Sequence, residues 1–308
     1  MKHLFVVNPT AGGRDKTEEV RAKVRAAFAG RDDEEVEIYV TQGPMDATRK
    51  IEEEAKRGEH FRVYACGGDG TFNECVCGAA LKSNVAVCPF PTGTGNDFCR
   101  MFGQEKELFR DLEALLDGSE VPIDLLDCNG RYSANICSVG VDARIGTDVH
   151  KYSKIPLIGG ATGYVVSAAV NMFKGIATQM AVSCDDVDLR GKHTLVCACN
   201  GRFYGGGFNP SLNARPDDGI MDVYIVKKVS LIQFATLIGK YAKGQADEMP
   251  QFIKHIRSSQ ELTIRCEKED VAQLDGEALR AREFHIRLVP KAMNLIVPRG
   301  MNFFQQEA

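Results

Sequence analysis

Val63-Tyr64-Ala65-Cys66-Gly67-Gly68-Asp69-Gly70-Thr71 is an apolar run that stops at three glycines in four residues, with a carboxylate the one interruption. Glycines remove the Cβ atoms that would hold main-chain N–H groups away from a phosphate oxygen. Phe72 to Leu81 then reads as a helix, and its N-terminus adds a partial positive charge at the same place. Asp69 would repel a bare phosphate, so the loop makes best sense with a divalent cation between the two. The plainer reading is a Gly-rich strand-to-helix turn with Asp69 as the helix cap.

Upstream, Leu4 to Val7 is a continuous apolar run of the kind covered on both faces, and it ends in Asn8-Pro9-Thr10-Ala11-Gly12-Gly13. Lys16 to Phe28 puts Val20, Val24, Ala27 and Phe28 on one helical stripe. Val36 to Val40 alternates as a strand up to Thr41-Gln42-Gly43-Pro44, and a helix follows from about Asp46 to Lys56. Downstream, Val85 to Cys88 opens into Pro89-Phe90-Pro91-Thr92-Gly93-Thr94-Gly95-Asn96-Asp97. This recurrence of strand, loop and helix is the signature of a parallel sheet wrapped by helices on both faces, an α/β domain. Such sheets bind ligands at the carboxyl ends of their strands, so the loops at Asn8, Thr41, Gly67 and Thr92 are expected on one edge.

Past Val121-Pro122-Ile123-Asp124 the pattern changes. Leu125 to Asp127 and Arg131 to Ser138 flank Asn129-Gly130, a strong tight-turn signal. Strand-like runs follow at Gln179 to Cys184, Thr194 to Asn200, Met221 to Val226, Glu261 to Cys266 and Phe284 to Val289. Residues 1–124 are therefore assigned to the α/β domain and 125–291 to a mainly antiparallel β-sandwich, with helices at about 160–175 and 230–243. Leu295 to Pro298 is one more strand-like segment, and 292–308 is expected to return to the first domain.

With 308 residues and 44% hydrophobic content the chain can bury two substantial cores. The formal charge of −4, with basic residues scattered among acidic ones, argues against a nucleic-acid partner. Eleven cysteines, an odd number, with pairs such as Cys75 and Cys77 or Cys197 and Cys199 and no nearby His pair, suit free thiols in a reducing cytoplasm. Ile155 to Phe173 carries no charge, but its glycines, Pro156 and Asn171 thin the apolarity. Tyr164, Val165, Ala168, Ala169, Met172 and Phe173 there make one face of an amphipathic helix, which is preferred to a membrane span.

Taken together, the motifs resemble the soluble bacterial diacylglycerol kinases and their lipid-kinase relatives, which share a catalytic domain with sphingosine kinases. The matching pieces are Asn8 to Gly12, Gly67 to Thr71, Pro91 to Phe98, Asn135 to Asp142, Asn200 with Gly205 to Gly207, Asp217 to Gly219, and Asp275 to Glu277, in the family's order. The Gly-Gly-Asp-Gly loop alone is shared with NAD kinases and phosphofructokinases; the Gly93 to Asp97 loop is far more specific. Ala11 stands where the family has Ser, which removes one hydroxyl contact to phosphate.

What the resemblance implies is phosphorylation of a lipid hydroxyl by ATP with Mg²⁺, on a two-domain fold with the active site in the cleft. Asn8, Pro9, Thr10, Gly12, Thr41, Gly67, Gly68, Gly70, Thr71, Thr94 and Asp275 would hold the nucleotide, and Asp69 would reach the catalytic magnesium through water. Glu277 matches the family's general base, which can act only as the bond to phosphorus forms. Taken alone, Asp275-Gly276-Glu277 is a polar hairpin tip. Asp218 with the carbonyls of Arg215 and Ile220 would hold a second, structural magnesium, against the alternative of an acidic turn. Asp124 joins the carboxylate network or closes the interdomain turn. Asn96 and Asp97 are expected to fix the loop from Pro91 to Asp97 by side-chain hydrogen bonds.

The acceptor expected first is diacylglycerol, giving phosphatidic acid. A sphingoid base, ceramide or phosphatidylglycerol is the alternative, then an NAD or sugar kinase or a non-catalytic lipid-binding protein on the same scaffold. A cytoplasmic protein would have to meet its lipid by transient peripheral contact at the inner membrane face. Lys227, Lys228, Lys240, Lys243, Lys254 and Arg257 border the apolar stripe Leu231, Phe234, Leu237, Ile238 and Tyr241, a composition suited to that contact. A homodimer is compatible with all of this.

Overall fold

The computed structural model describes residues 1–92, 96–152 and 175–305. The chain divides into two compact units, Met1–Leu125 with Val289–Ala308, and Leu126–Leu288.

In the first unit β1 (Lys2–Val7), α1 (Thr17–Ala27), β2 (Glu35–Val40), α2 (Asp46–Ala55), β3 (Phe61–Gly67), α3 (Asp69–Ala79) and β4 (Val85–Pro91) alternate. Two short helices, α4 (Asp97–Arg100) and α5 (Leu112–Leu116), lead into β5 (Ser119–Cys128). β1 lies between β2 and β3, β3 pairs with β4, and every one of these pairings is parallel. Leu4, Phe5, Val6, Val63, Tyr64, Val85 and Val87 are fully buried, as unbroken apolar runs in a two-sided sheet must be. The rings of Phe5 and Tyr64 stack at 4.4 Å between adjacent strands.

The second unit contains β6 (Arg131–Ser133), β7 (Ile136–Gly140), α6 (Val141–Tyr152), β8 (Thr178–Cys184), β9 (Val187–Cys199) and β10 (Met221–Lys227). After these come α7 (Leu231–Tyr241), β11 (Ile253–Ser258), β12 (Leu262–Leu274) and β13 (Glu277–Val297). The pairing is antiparallel, in the order β11, β10, β9, β7, β12, β13, with β8 joined to β9 and β12. Alternation along β9 sorts the core. Val196 and Ala198 join the cluster of Val139, Val223 and Ile264, whereas Leu195, Cys197 and Cys199 face Tyr204, Tyr224 and Tyr241.

Several elements differ from the sequence reading. Phe284 to Val289 and Leu295 to Pro298 are not two strands but parts of one strand, β13, of 21 residues. It carries Pro290 and a left-handed Lys291 (φ 52°) within it, and Asn294 and Leu295 pair in parallel with Ala86 and Val87. The Lys291 amide at that bend donates to Asp124 Oδ1 at 2.8 Å, so Asp124 closes the chain there. β11 and α6 were not foreseen. The expected helix at about 160–175 falls largely on residues outside the described ones. All eleven cysteines are free. Among the described residues no helix is long and apolar enough to cross a membrane.

Candidate active site

Parallel pairing carries the loops after β1, β2, β3 and β4 to one edge of the first sheet, and hydrogen bonds knit them together. The Asn8 amide N–H donates to Cys66 O at 3.1 Å, and Asn8 Nδ2 donates to Thr71 Oγ1 at 3.1 Å. Asn8 Oδ1 accepts from the backbone N–H and the hydroxyl of Thr10, at 3.0 and 2.8 Å, which curls the first loop over Pro9. Gly12 completes that curl with φ 72°, a conformation that favours glycine. Thr41 donates its N–H to Val7 O at 2.9 Å and Thr92 donates to Gly67 O at 3.2 Å. Lys16 Nζ reaches Thr92 O at 2.5 Å and ties the first loop to the fourth. Only its place four residues past Gly12 hinted at that.

Helix α3 begins at Asp69, three residues earlier than its sequence pattern indicated, because Gly68 supplies the N-cap. Gly68 has no side chain to cap with, so the first N–H groups of the helix are left to an anion. Asp69 is therefore not the cap. Its Oδ1 accepts the Asp97 N–H at 2.7 Å, which fixes the fourth loop through the backbone of Asp97; the Asp97 carboxylate turns to Arg100 Nε at 2.9 Å. Gly67 is packed so tightly that a Cβ there would lie 2.2 Å from Thr71 Oγ1. This edge fits a nucleotide: helix N–H groups that no side chain caps, a glycine-rich turn, and one carboxylate. A single carboxylate suits a magnesium held mainly through waters and phosphate oxygens, not a cage of protein ligands. Thr94, with Gly93 and Gly95, lies outside the described residues.

In the second unit Asp275 (φ 48°) and Gly276 (φ 99°) form a two-residue turn between β12 and β13, with Leu274 opposite Glu277. The Asp275 carboxylate accepts three backbone N–H groups, from Ala134 at 2.9 Å, Asn135 at 3.3 Å and Ile136 at 2.8 Å. Burial still raises its pKa above the ordinary carboxylate value against those donors. Asp275 thus locks the turn to the segment before β7, and Glu277, the first residue of β13, stands exposed beside it.

Asp142 appeared in the sequence only as part of a motif. It sits in the first turn of α6 on the wall of an apolar cavity of about 240 Å³, which Val141, Ile145, Phe208, Phe234 and Ile238 also line. Asp142 Oδ1 accepts the Ala143 N–H at 2.7 Å, while Oδ2 is shut off from solvent. Burial raises the Asp142 pKa, and the nearby Ser138 and Tyr204 hydroxyls offset this only in part.

The expected second magnesium fits less well. Asp218 Oδ1 accepts the Ile220 N–H at 3.0 Å and Oδ2 accepts from Arg257 Nη2 at 3.2 Å; the Arg215 side chain pairs with Asp217 at 2.9 Å. A guanidinium already balances the one carboxylate of the set, and no group of three or more acidic, His or Cys side chains placed to hold a metal ion exists among the described residues.

Residues 2–128 match the diacylglycerol kinase catalytic domain, and residues 135–297 match the YegS C-terminal NAD kinase β-sandwich-like domain. A protein of Pseudomonas aeruginosa named probable lipid kinase YegS-like is 32% identical over 301 residues, covering 97% of this chain and 95% of its own. A Salmonella gallinarum protein named probable lipid kinase YegS is 29% identical over 284 residues, covering 89% and 91%. Among solved structures, a putative diacylglycerol kinase from Bacillus anthracis superposes with a TM-score of 0.75 at 27% identity, over 97% of this chain and 96% of that one. A second Bacillus anthracis structure, at 23% identity and TM-score 0.68, shares the fold. Both halves match in order and a relative above 30% identity spans nearly the whole chain, so this protein belongs to the YegS-like lipid kinase family, with the diacylglycerol kinase catalytic domain, and is a kinase.

Proposed function

We propose that the chain phosphorylates the hydroxyl of a membrane lipid, diacylglycerol first, to give phosphatidic acid, with ATP as donor and Mg²⁺ as the metal. The observation that carries the acceptor is the apolar cavity of the second unit, in whose wall Asp142 is the one carboxyl among the described residues, beside the Ser138 and Tyr204 hydroxyls. Such a cavity suits an acyl chain, and a buried carboxyl whose pKa is raised by desolvation suits an uncharged hydroxyl or ester rather than an anionic head group.

In the proposed reaction the lipid hydroxyl oxygen bonds to the γ-phosphorus and the bond from that phosphorus to the β-γ bridging oxygen breaks. ADP leaves, and the hydroxyl proton passes to the Glu277 carboxylate. Magnesium, when bound, supplies charge neutralisation at the phosphates. The work of this chain is positioning: Asn8, Thr10, Gly12, Thr41, Gly67, Gly68, Gly70 and Thr71 align the triphosphate, and Asp69 would hold the cation when it is bound. Lys16 keeps the first and fourth loops together.

Incubation with labelled ATP and a panel of diacylglycerol, sphingosine, ceramide and phosphatidylglycerol, followed by separation of the products, tests this directly. Labelled phosphatidic acid is the expected product, lost in Glu277→Gln with an unchanged melting curve. Label in another lipid alone overturns the acceptor, and full turnover by Glu277→Gln overturns the base.

A further inference from the structure

Helix α7 starts from a complete capping box: Ser230 Oγ accepts the Gln233 N–H at 3.2 Å, and Gln233 Oε1 accepts the Ser230 N–H at 2.8 Å. Its first turn is therefore held in place, not frayed. One side of the helix, with Phe234 and Ile238, walls the apolar cavity. The other side of its first turn presents Leu231 and Ile232 to solvent, at 49% and 81% exposure. Single exposed apolar residues are ordinary, but two consecutive ones on a rigid turn are a patch.

Basic residues lie in the segment that leads into that patch and on the strand bonded to it. The Lys228 N–H donates to Lys192 O at 3.0 Å, which brings the middle of β9 against the segment leading into α7. Lys192, Lys227 and Lys228 are all exposed, and among the described residues none has an acidic partner within ion-pair distance. At the far end of the helix Lys240 is instead balanced by Glu248 at 3.2 Å. The whole chain carries −4, so this positive end is a local feature and not a reflection of composition.

We propose that the first turn of α7 docks on an anionic lipid bilayer, with Leu231 and Ile232 entering the head-group layer while Lys192, Lys227 and Lys228 face lipid phosphates. Apolar side chains next to lysines match the layered chemistry of that surface, apolar beneath and negative above. The same helix would then have one side in the bilayer surface and the other lining the cavity.

Co-sedimentation with vesicles of phosphatidylglycerol and phosphatidylcholine, without nucleotide, tests the surface independently of the kinase reading. Ile232→Asp lies at an exposed position and is expected to weaken binding about tenfold or more by losing its apolar contact. Lys227→Glu with Lys228→Glu is expected to cost at least about fivefold per lysine and to flatten the salt dependence. Both variants should keep the wild-type melting curve. Binding by both variants within about twofold of wild type, or equal wild-type binding to neutral phosphatidylcholine vesicles, overturns the proposal. A dimer in sedimentation that Ile232→Asp dissolves, with vesicle binding intact, would assign the patch to self-association and overturn it too. Binding that follows this pattern in a chain that labels no lipid would uphold the surface and remove the proposed acceptor reaction.

Discussion

The Thr71 hydroxyl occupies the space into which a side chain at Gly67 would grow, 2.2 Å from where its Cβ would stand, and Asn8 Nδ2 holds that hydroxyl in place from the neighbouring loop. One atom therefore joins the end of β3, the first turn of α3 and the loop after β1.

Gly67→Ala is expected to force these loops apart. Overpacking of this kind costs about 1–3 kcal/mol of stability, and the displaced N–H groups should weaken nucleotide binding further. Thermal melting and titration with an ATP analogue check both; an alanine variant with wild-type nucleotide affinity would contradict the packing.

Asp69→Asn keeps an oxygen for the Asp97 N–H and removes the charge. The expected result is an intact melting curve with turnover reduced by about two orders of magnitude or more, as when one preorganised electrostatic group is removed from a phosphoryl-transfer site. Kinetics measured across a magnesium series would show the loss.

Asp142 separates stability from activity. Its folded pKa lies above the unfolded value, so the folded state binds more protons in the window between them. Stability is then fully present below the unfolded pKa, near 4, and is lost as pH rises through the folded pKa. Asp142→Asn, isosteric and uncharged, is expected to remove that decline and to raise stability at pH 7, while turnover on lipid falls. Melting curves from pH 4 to 8, together with lipid assays, test the pair of effects.

His3 has the opposite sign. Its ring is buried on β1, with Nδ1 2.9 Å from the Tyr64 hydroxyl and edge contact to Phe28, and burial followed by the Arg62 charge lowers its pKa to about 4. The unfolded chain binds this proton near pH 6.5 and the folded chain does not. Stability is therefore fully present above about pH 6.5 and declines as pH falls toward 4, by at most about 3 kcal/mol. His3→Gln should flatten the melting temperature between pH 4.5 and 6.5, where the wild type slopes.

The run Val63 to Cys66 closed by Gly67-Gly68-Asp69-Gly70, with its counterparts at Val7 and Val85, determined the parallel sheet and the edge that gathers its loops. Periodicity and glycine placement are local properties, and a strand covered on both faces has to be apolar throughout. Asn129-Gly130 marked the change to antiparallel pairing for the same local reason. β11 went unread because Lys254, His255 and Arg257 break its alternation, as charge does on an edge strand. β13 went unread as one element because Pro290 and Lys291 interrupt it, and only the Asp124 contact and the pairing with β4 show that the strand continues. Lys16 meets Thr92 across 76 positions, and the Asp142 carboxyl becomes a cavity group only once Phe208, Phe234 and Ile238 close around it. Residue types and their spacing are written along the chain, but burial and a shifted pKa come from atoms distant in sequence, which only the tertiary structure brings within a few ångströms.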